Sequence, residues 1–186
     1  HDIVGEHLST FGTNFDEGTK LKPSKPLEGW MQSEMLFQKD IKSKIHILQD
    51  EAIQIAGIKF YGTPWCPSLH RWAFYGDTDM LKSKFGMIPF DTQVLLTHCP
   101  PRIGQQGIVL QQNNWNFLTN FGCQELQDAI VKNRLQLKTP MYVFSGHIHS
   151  GNHQIEVEGG YVYRNVSLLD EDYNMTYSPD YFTYYV

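Results

Sequence analysis

The sequence predicts a mixed α/β fold whose parallel strands end in histidines, and three observations predict it. Two apolar runs of buried-strand type, Thr92-Gln93-Val94-Leu95-Leu96-Thr97 and Tyr142-Val143-Phe144-Ser145, each break into a histidine segment within two residues. Between them, residues 122–135 carry Leu126, Ala129, Ile130 and Leu135 at helical spacing, with Lys132 and Arg134 near the C-terminal dipole end. Strand, helix and strand then form a crossover unit with parallel neighbours, and ligand sites in such sheets lie beyond the C-terminal strand ends. His98 and His147 are thereby expected on one sheet edge.

In chain order, residues 1–27 hold Gly5, Gly12, Gly18, Pro23 and Pro26 with little periodicity and predict a long loop. A helix is expected over Glu28–Lys42, where Trp30, Met31, Met35, Leu36 and Ile41 recur at helical spacing. Three short β-rich runs follow, at 45–48, 52–56 and 58–61, the last two forming a hairpin around Gly57; His46 sits in the first as an inert strand histidine. Gly62-Thr63-Pro64-Trp65-Cys66-Pro67 takes an irregular path, with Trp65 and Trp72 either packed in the core or lining a cleft. Asp79–Phe85 reads as a short helix closed by Gly86. The Pro100-Pro101 pair denies any helical continuation after His98 and holds it on stiff backbone. Residues 154–157, 161–167 and 182–185 predict strands of a second sheet, and hence two packed sheets with helices outside.

The most informative stretch is Gly146-His147-Ile148-His149-Ser150-Gly151. In extended backbone, residues i and i+2 share a face, so His147 and His149 can both reach ions beyond the strand end. Neutral imidazole ligates zinc, manganese and iron. The flanking glycines permit sharp bends and close approach. The competing reading is an ordinary strand and turn with two partly exposed histidines.

Composition bounds the rest. A chain of 186 residues builds one domain with a sizeable core. A formal charge of -5 without a basic stripe argues against a nucleic-acid polymer as partner, and no apolar run approaches the roughly 20 residues needed to span a bilayer. Cys66, Cys99 and Cys123 are odd in number and lack CxxC spacing, which favours free thiols in a reducing, cytoplasmic setting. The opening His1-Asp2 reads as the start of a piece cut from something longer.

Taken together, the motifs resemble those of the calcineurin-like metallophosphoesterases, over almost the whole chain. A strand-end histidine and a Gly-His-x-His occur in order as His98 and Gly146-His147-Ile148-His149. More narrowly, Gly62-Thr63-Pro64-Trp65, Thr97-His98-Cys99-Pro100-Pro101, Gly122-Cys123-Gln124-Glu125-Leu126 and Asn165-Val166-Ser167 are similar to the metallophosphoesterase-domain-containing branch. The resemblance implies a four-layer α-β-β-α sandwich, of which this chain is the C-terminal two-thirds or so. It also implies a dinuclear centre of two divalent ions (Mn, Fe, Zn, Co or Ni) hydrolysing a small, nucleotide-like phosphodiester. His98 and His147 would hold one ion and His149 the other. His1-Asp2 looks like the second half of a Gly-Asn-His-Asp motif, with His1 facing the leaving oxygen and Asp2 orienting it; a disordered terminal histidine is the alternative. The family's Asp-x-His and Gly-Asp motifs, which supply the carboxylate ligands, have no counterpart here and are expected upstream of His1.

Two positions depart from the branch. Cys99 stands where it usually has Gly, and Arg102-Ile103-Gly104-Gln105-Gln106-Gly107 lacks the acidic residue often found there. Arg102 is a candidate phosphate contact, or else a solvated surface arginine. Two further readings compete with the dinuclear phosphodiesterase: a non-catalytic scaffold of the same fold, and a mononuclear hydrolase built from the three histidines alone.

Overall fold

A computed structural model describes residues 46–67, 74–111, 117–134 and 139–179. His1, Asp2, the helix expected at 28–42, Trp72 and the strand expected at 182–185 lie outside the described residues. The described strands are β1 (Glu51–Ile55), β2 (Ile58–Thr63), β3 (Cys66–Pro67), β4 (Tyr75–Gly76), β5 (Val94–Thr97), β6 (Ile108–Gln111), β7 (Phe117–Asn120), β8 (Met141–Ser145), β9 (Glu156–Glu158) and β10 (Tyr161–Asn165). Two helices accompany them, α1 (Thr78–Phe85) and α2 (Gln124–Arg134). Six strands form one sheet in the order β1-β2-β5-β8-β10-β9.

The crossover inferred from sequence is present: β5 and β8 are parallel neighbours, with Val94 opposite Tyr142 and Thr97 opposite Ser145. On the outer side of β5, β2 is also parallel, with Thr63 opposite Thr97. The β1–β2 hairpin turns through Ala56 and Gly57 at φ 50° and 83°, the paired positive values that a two-residue type I′ loop requires.

Two assignments are corrected. Residues 46–48 form no strand. Leu48 lies against the backbone of Gly62, where any Cβ would collide with it, so the segment packs across β2 and does not extend the ladder. The strands expected to start a second sheet instead extend the first: β10 pairs parallel with β8, and β9 pairs antiparallel with β10. Tyr161, Tyr163 and Asn165 continue the buried row of Met141, Val143 and Ser145, so their pattern matches that of β8. The β6–β7 hairpin was not anticipated; its residues are mostly exposed or half-buried and carry weak alternation.

One face of the sheet is sealed. Tyr61, Leu95, Val143, Tyr161 and Tyr163 join Leu81 and Phe85 of α1 and Leu126 and Ile130 of α2 in one buried cluster. Asp77 caps α1 by accepting from Met80 N, and Gly86 closes it. Trp65 packs partly buried against this core. Asp50 pins the segment, accepting from Thr63 Oγ1 at 2.8 Å, Trp65 Nε1 at 2.8 Å and Lys84 Nζ at 3.0 Å. On the opposite face Leu96 is exposed and Tyr142 and Phe144 are half-buried, whereas Val94, on the same face of β5, is buried.

Candidate metal centre

Register alone brings the first two histidines together. With Thr97 opposite Ser145, the next residues on β5 and β8 are His98 and Gly146, and Gly146 N donates to His98 O at 3.0 Å. On its other side His98 N donates to Thr63 O at 3.3 Å, so the ladder holds this residue from both neighbours. Thr97 Oγ1 donates to Cys99 O at 2.8 Å and braces the backbone before the Pro pair.

The chain then turns abruptly. Ile148 N donates to Gly146 O at 2.7 Å, and His147 has φ 65°. An i to i+2 bond around a central residue of positive φ is the strained form of the γ-turn. This overturns the expectation that His147 and His149 share a face through strand alternation, because the strand ends at Ser145 and the two histidines sit on a turn. Asn165 clamps it, its Nδ2 donating to Ile148 O at 2.7 Å and its Oδ1 accepting from Ser167 N at 3.0 Å. Gly151 passes so close to the Gln106 carbonyl that a side chain would overlap it.

The His98 and His147 rings stand 4.7 Å apart, tilted by 47°. Burial, reinforced by the neighbouring His147, lowers the His98 pKa to about 4. Burial also lowers that of His147, against the opposing pull of Glu171. Both rings are therefore neutral at pH 7 and keep a lone pair, the form that binds metals. Cys66 joins them: its Sγ and one ring nitrogen from each histidine lie within 4.8 Å of one another. This nitrogen and sulfur donor set fits a divalent transition ion.

His149 occupies a different place. Its Nδ1 lies 2.8 Å from Asp170 O. A carbonyl only accepts, so Nδ1 donates here and Nε2 is the nitrogen left for another partner, the arrangement of metal-ligating histidines with an outer hydrogen bond. His147, His149, Glu171 and Tyr173 line a cavity of about 110 Å³. Glu171 Oε1 accepts from Ser150 N at 3.0 Å, which ties its loop to the histidine turn. Arg102 follows the Pro pair and is exposed.

No protein-family profile matches the chain. Among individual proteins, it is 32% identical over 190 residues to a UPF0046 protein of Caenorhabditis elegans, covering 95% of this chain and 44% of that protein. It is equally 32% identical to metallophosphoesterase domain-containing protein 1 of Homo sapiens, over 95% of this chain and 52% of that one. The chain belongs to the metallophosphoesterase-domain-containing branch. It spans about half the length of these curated relatives, and its mixed α/β sheet with flanking helices agrees with the metallophosphoesterase fold.

Within that branch, two residues near the histidines escaped the sequence reading. Cys66 lies in an unremarkable Trp-Cys-Pro, and only its approach to His98 and His147 in the fold brings it in. Glu171 belongs to Asp170-Glu171-Asp172, an acidic run past the last described strand that signals a solvated turn as readily as a site. It supplies a carboxylate beside the histidines, where no segment after His98 was expected to do so.

Proposed function

We propose that the protein is a metal-dependent phosphoesterase, acting as a phosphodiesterase on a small, nucleotide-like ester through a dinuclear centre. The observation that carries this reading is the pair of neutral, largely buried imidazoles 4.7 Å apart at the ends of adjacent parallel strands, in a chain of this family. In the proposed centre His98 and His147 hold one divalent ion; His149, through Nε2, serves the second, with Glu171 beside it. The ions come from Mn, Fe, Zn, Co and Ni, and bound ions of this kind polarise a phosphoryl oxygen and generate hydroxide at neutral pH. Further carboxylates, of the Asp-x-His and Gly-Asp kind, would come from elsewhere in the protein, because two dications held by imidazoles alone repel strongly. Residues 1–186 are assigned to a single metallophosphoesterase domain.

The chain's own residues have distinct tasks. Asn165 and the Gly146–Ile148 bond fix the ring of His147, and Asp170 O fixes that of His149. His1, oriented by Asp2, is assigned to the leaving oxygen. Arg102 is assigned to a phosphate oxygen. A second cavity of about 560 Å³, lined in part by His153, Arg164, Asn165, Ser167 and Tyr177, adjoins the turn through Asn165 and suits the organic part of an ester. The net charge of -5 favours a small substrate over a nucleic-acid polymer. Buried thiols at 66, 99 and 123 fit a reducing, cytoplasmic setting. Among the described residues, no helix is long and apolar enough to cross a membrane.

The test is hydrolysis of bis-p-nitrophenyl phosphate by the intact protein, with manganese or zinc added back after chelation. Metal-dependent turnover that is lost in His147→Ala and His149→Ala is expected. Metal uptake without turnover on any phosphate ester would instead mark a binding module of the same fold.

A further inference from the structure

We propose that Cys66 is a metal ligand, its thiolate completing with His98 and His147 a sulfur-nitrogen-nitrogen site that selects zinc over manganese or magnesium. The inference rests on the metal-centre reading above and names the ligand that decides which ion the first position takes.

Three observations converge. The Cys66 Sγ and the two imidazole nitrogens lie within 4.8 Å of one another. A tetrahedral zinc with bonds of about 2.3 Å to sulfur and about 2.0 Å to nitrogen needs its ligand atoms roughly 3.3 to 3.6 Å apart, so each atom closes the gap by moving less than about 1 Å. Cys66 is also held in place: it is 1% exposed, Cys66 N donates to Phe74 O at 2.9 Å, and it pairs with Tyr75 in the β3–β4 ladder. Finally, although the Cys99 thiol also interacts with those of Cys66 and Cys123, only Cys66 among the three groups with the two histidines. Cys99 Sγ donates to Trp65 O at 3.4 Å, and Cys123 Sγ lies 3.4 Å from Glu125 Oε2.

The chemistry follows from the donors. Thiolate is a soft ligand that suits zinc and disfavours manganese and magnesium, which take oxygen donors. Cys66, His98 and His147 would supply three of the ligands of this ion, leaving the remaining position for a carboxylate from elsewhere in the protein, water or a phosphate oxygen. The thiol proton is released to solvent as the ion binds.

The experiment is cobalt(II) titration of the intact, metal-stripped protein. A near-ultraviolet thiolate-to-cobalt charge-transfer band is expected in wild type, Cys99→Ser and Cys123→Ser, and its loss in Cys66→Ser. Zinc affinity in Cys66→Ser should fall by more than the roughly 10- to 100-fold that outer-shell changes cost. X-ray absorption at the zinc edge of the wild-type protein, expected to show sulfur at about 2.3 Å, keeps the proposal testable should Cys66→Ser fail to fold. Cobalt bound without the band, a band that survives Cys66→Ser, or a zinc edge with only light scatterers would overturn it. Failure to take up cobalt at all would sink the metal-centre reading as well. An intact band with no ester hydrolysis would remove the phosphoesterase reading alone.

Discussion

Strands β5 and β8 lie side by side and each presents a histidine at its C-terminal end, yet they hold it by opposite means. His98 continues its ladder on both sides, bonded to Thr63 and Gly146, and is followed by two prolines that leave the backbone few alternatives. His147 sits at φ 65° on a γ-turn kept in place by Asn165. One imidazole is positioned by regular structure and covalent restriction, the other by strain that surrounding hydrogen bonds must sustain. Neighbouring side chains of a single candidate site can therefore differ widely in what disturbs them.

Substitutions can break that comparison. Removing either ring, His98→Ala or His147→Ala, is expected to reduce metal-dependent hydrolysis roughly 1,000-fold, the scale of losing one group from a catalytic centre; steady-state kinetics at saturating metal would check it. Equal losses would place both rings on one ion's path, whereas an unaffected His98→Ala would separate them.

Acid should disturb the His98 side of the metal-free protein more. Its pKa is about 4 when folded against an ordinary 6.5. The unfolded chain thus takes up a proton first as pH falls, and folded stability is lost between pH 6.5 and about 4. The loss is bounded at about 3 kcal/mol and absent above that window. Urea titrations across this range should show the slope, and His98→Asn should flatten it.

On the other side, Asn165→Ala removes the clamp and strands Ile148 O, at an expected cost of about 2 kcal/mol. Metal affinity should fall about 10- to 100-fold with the ring identities unchanged. Calorimetric metal titration beside thermal unfolding separates the two effects.

The smallest effect is the sharpest discriminator. At residue 147, Gly should be more stable than Ala by roughly 1 kcal/mol, because positive φ strains any side chain. At residue 98 the order should reverse by about 0.5 to 1 kcal/mol, because extended backbone gains nothing from Gly. The same sign at both positions, in paired denaturation curves, would refute the contrast.

Much of this was legible in the residues. The apolar runs before His98 and Gly146 with a helical pattern between them specify a parallel crossover, because a right-handed connection is nearly obligatory. That alone places His98 and His147 on one edge. The β1–β2 hairpin, α1 with its Gly86 stop and α2 were equally readable, since their signals are local. The destination of β9 and β10 was not. Their alternation states which face is buried but not which strand lies alongside, and the long-range pairing of Tyr161 with Met141 decided it.

At the strand-end turn, the division between sequence and structure is clearest. Residue identity marked two histidines flanked by glycines as candidate ligands, and Pro100-Pro101 as stiffening the chain beside His98. Only tertiary structure decided how the two were used. The Gly146–Ile148 bond and the Asn165 clamp bend His147 toward His98 and Cys66, while Asp170 and Glu171 gather around His149. Those partners come from strands and loops far apart in the chain, and no local pattern encodes a meeting that the packing of the sheet creates.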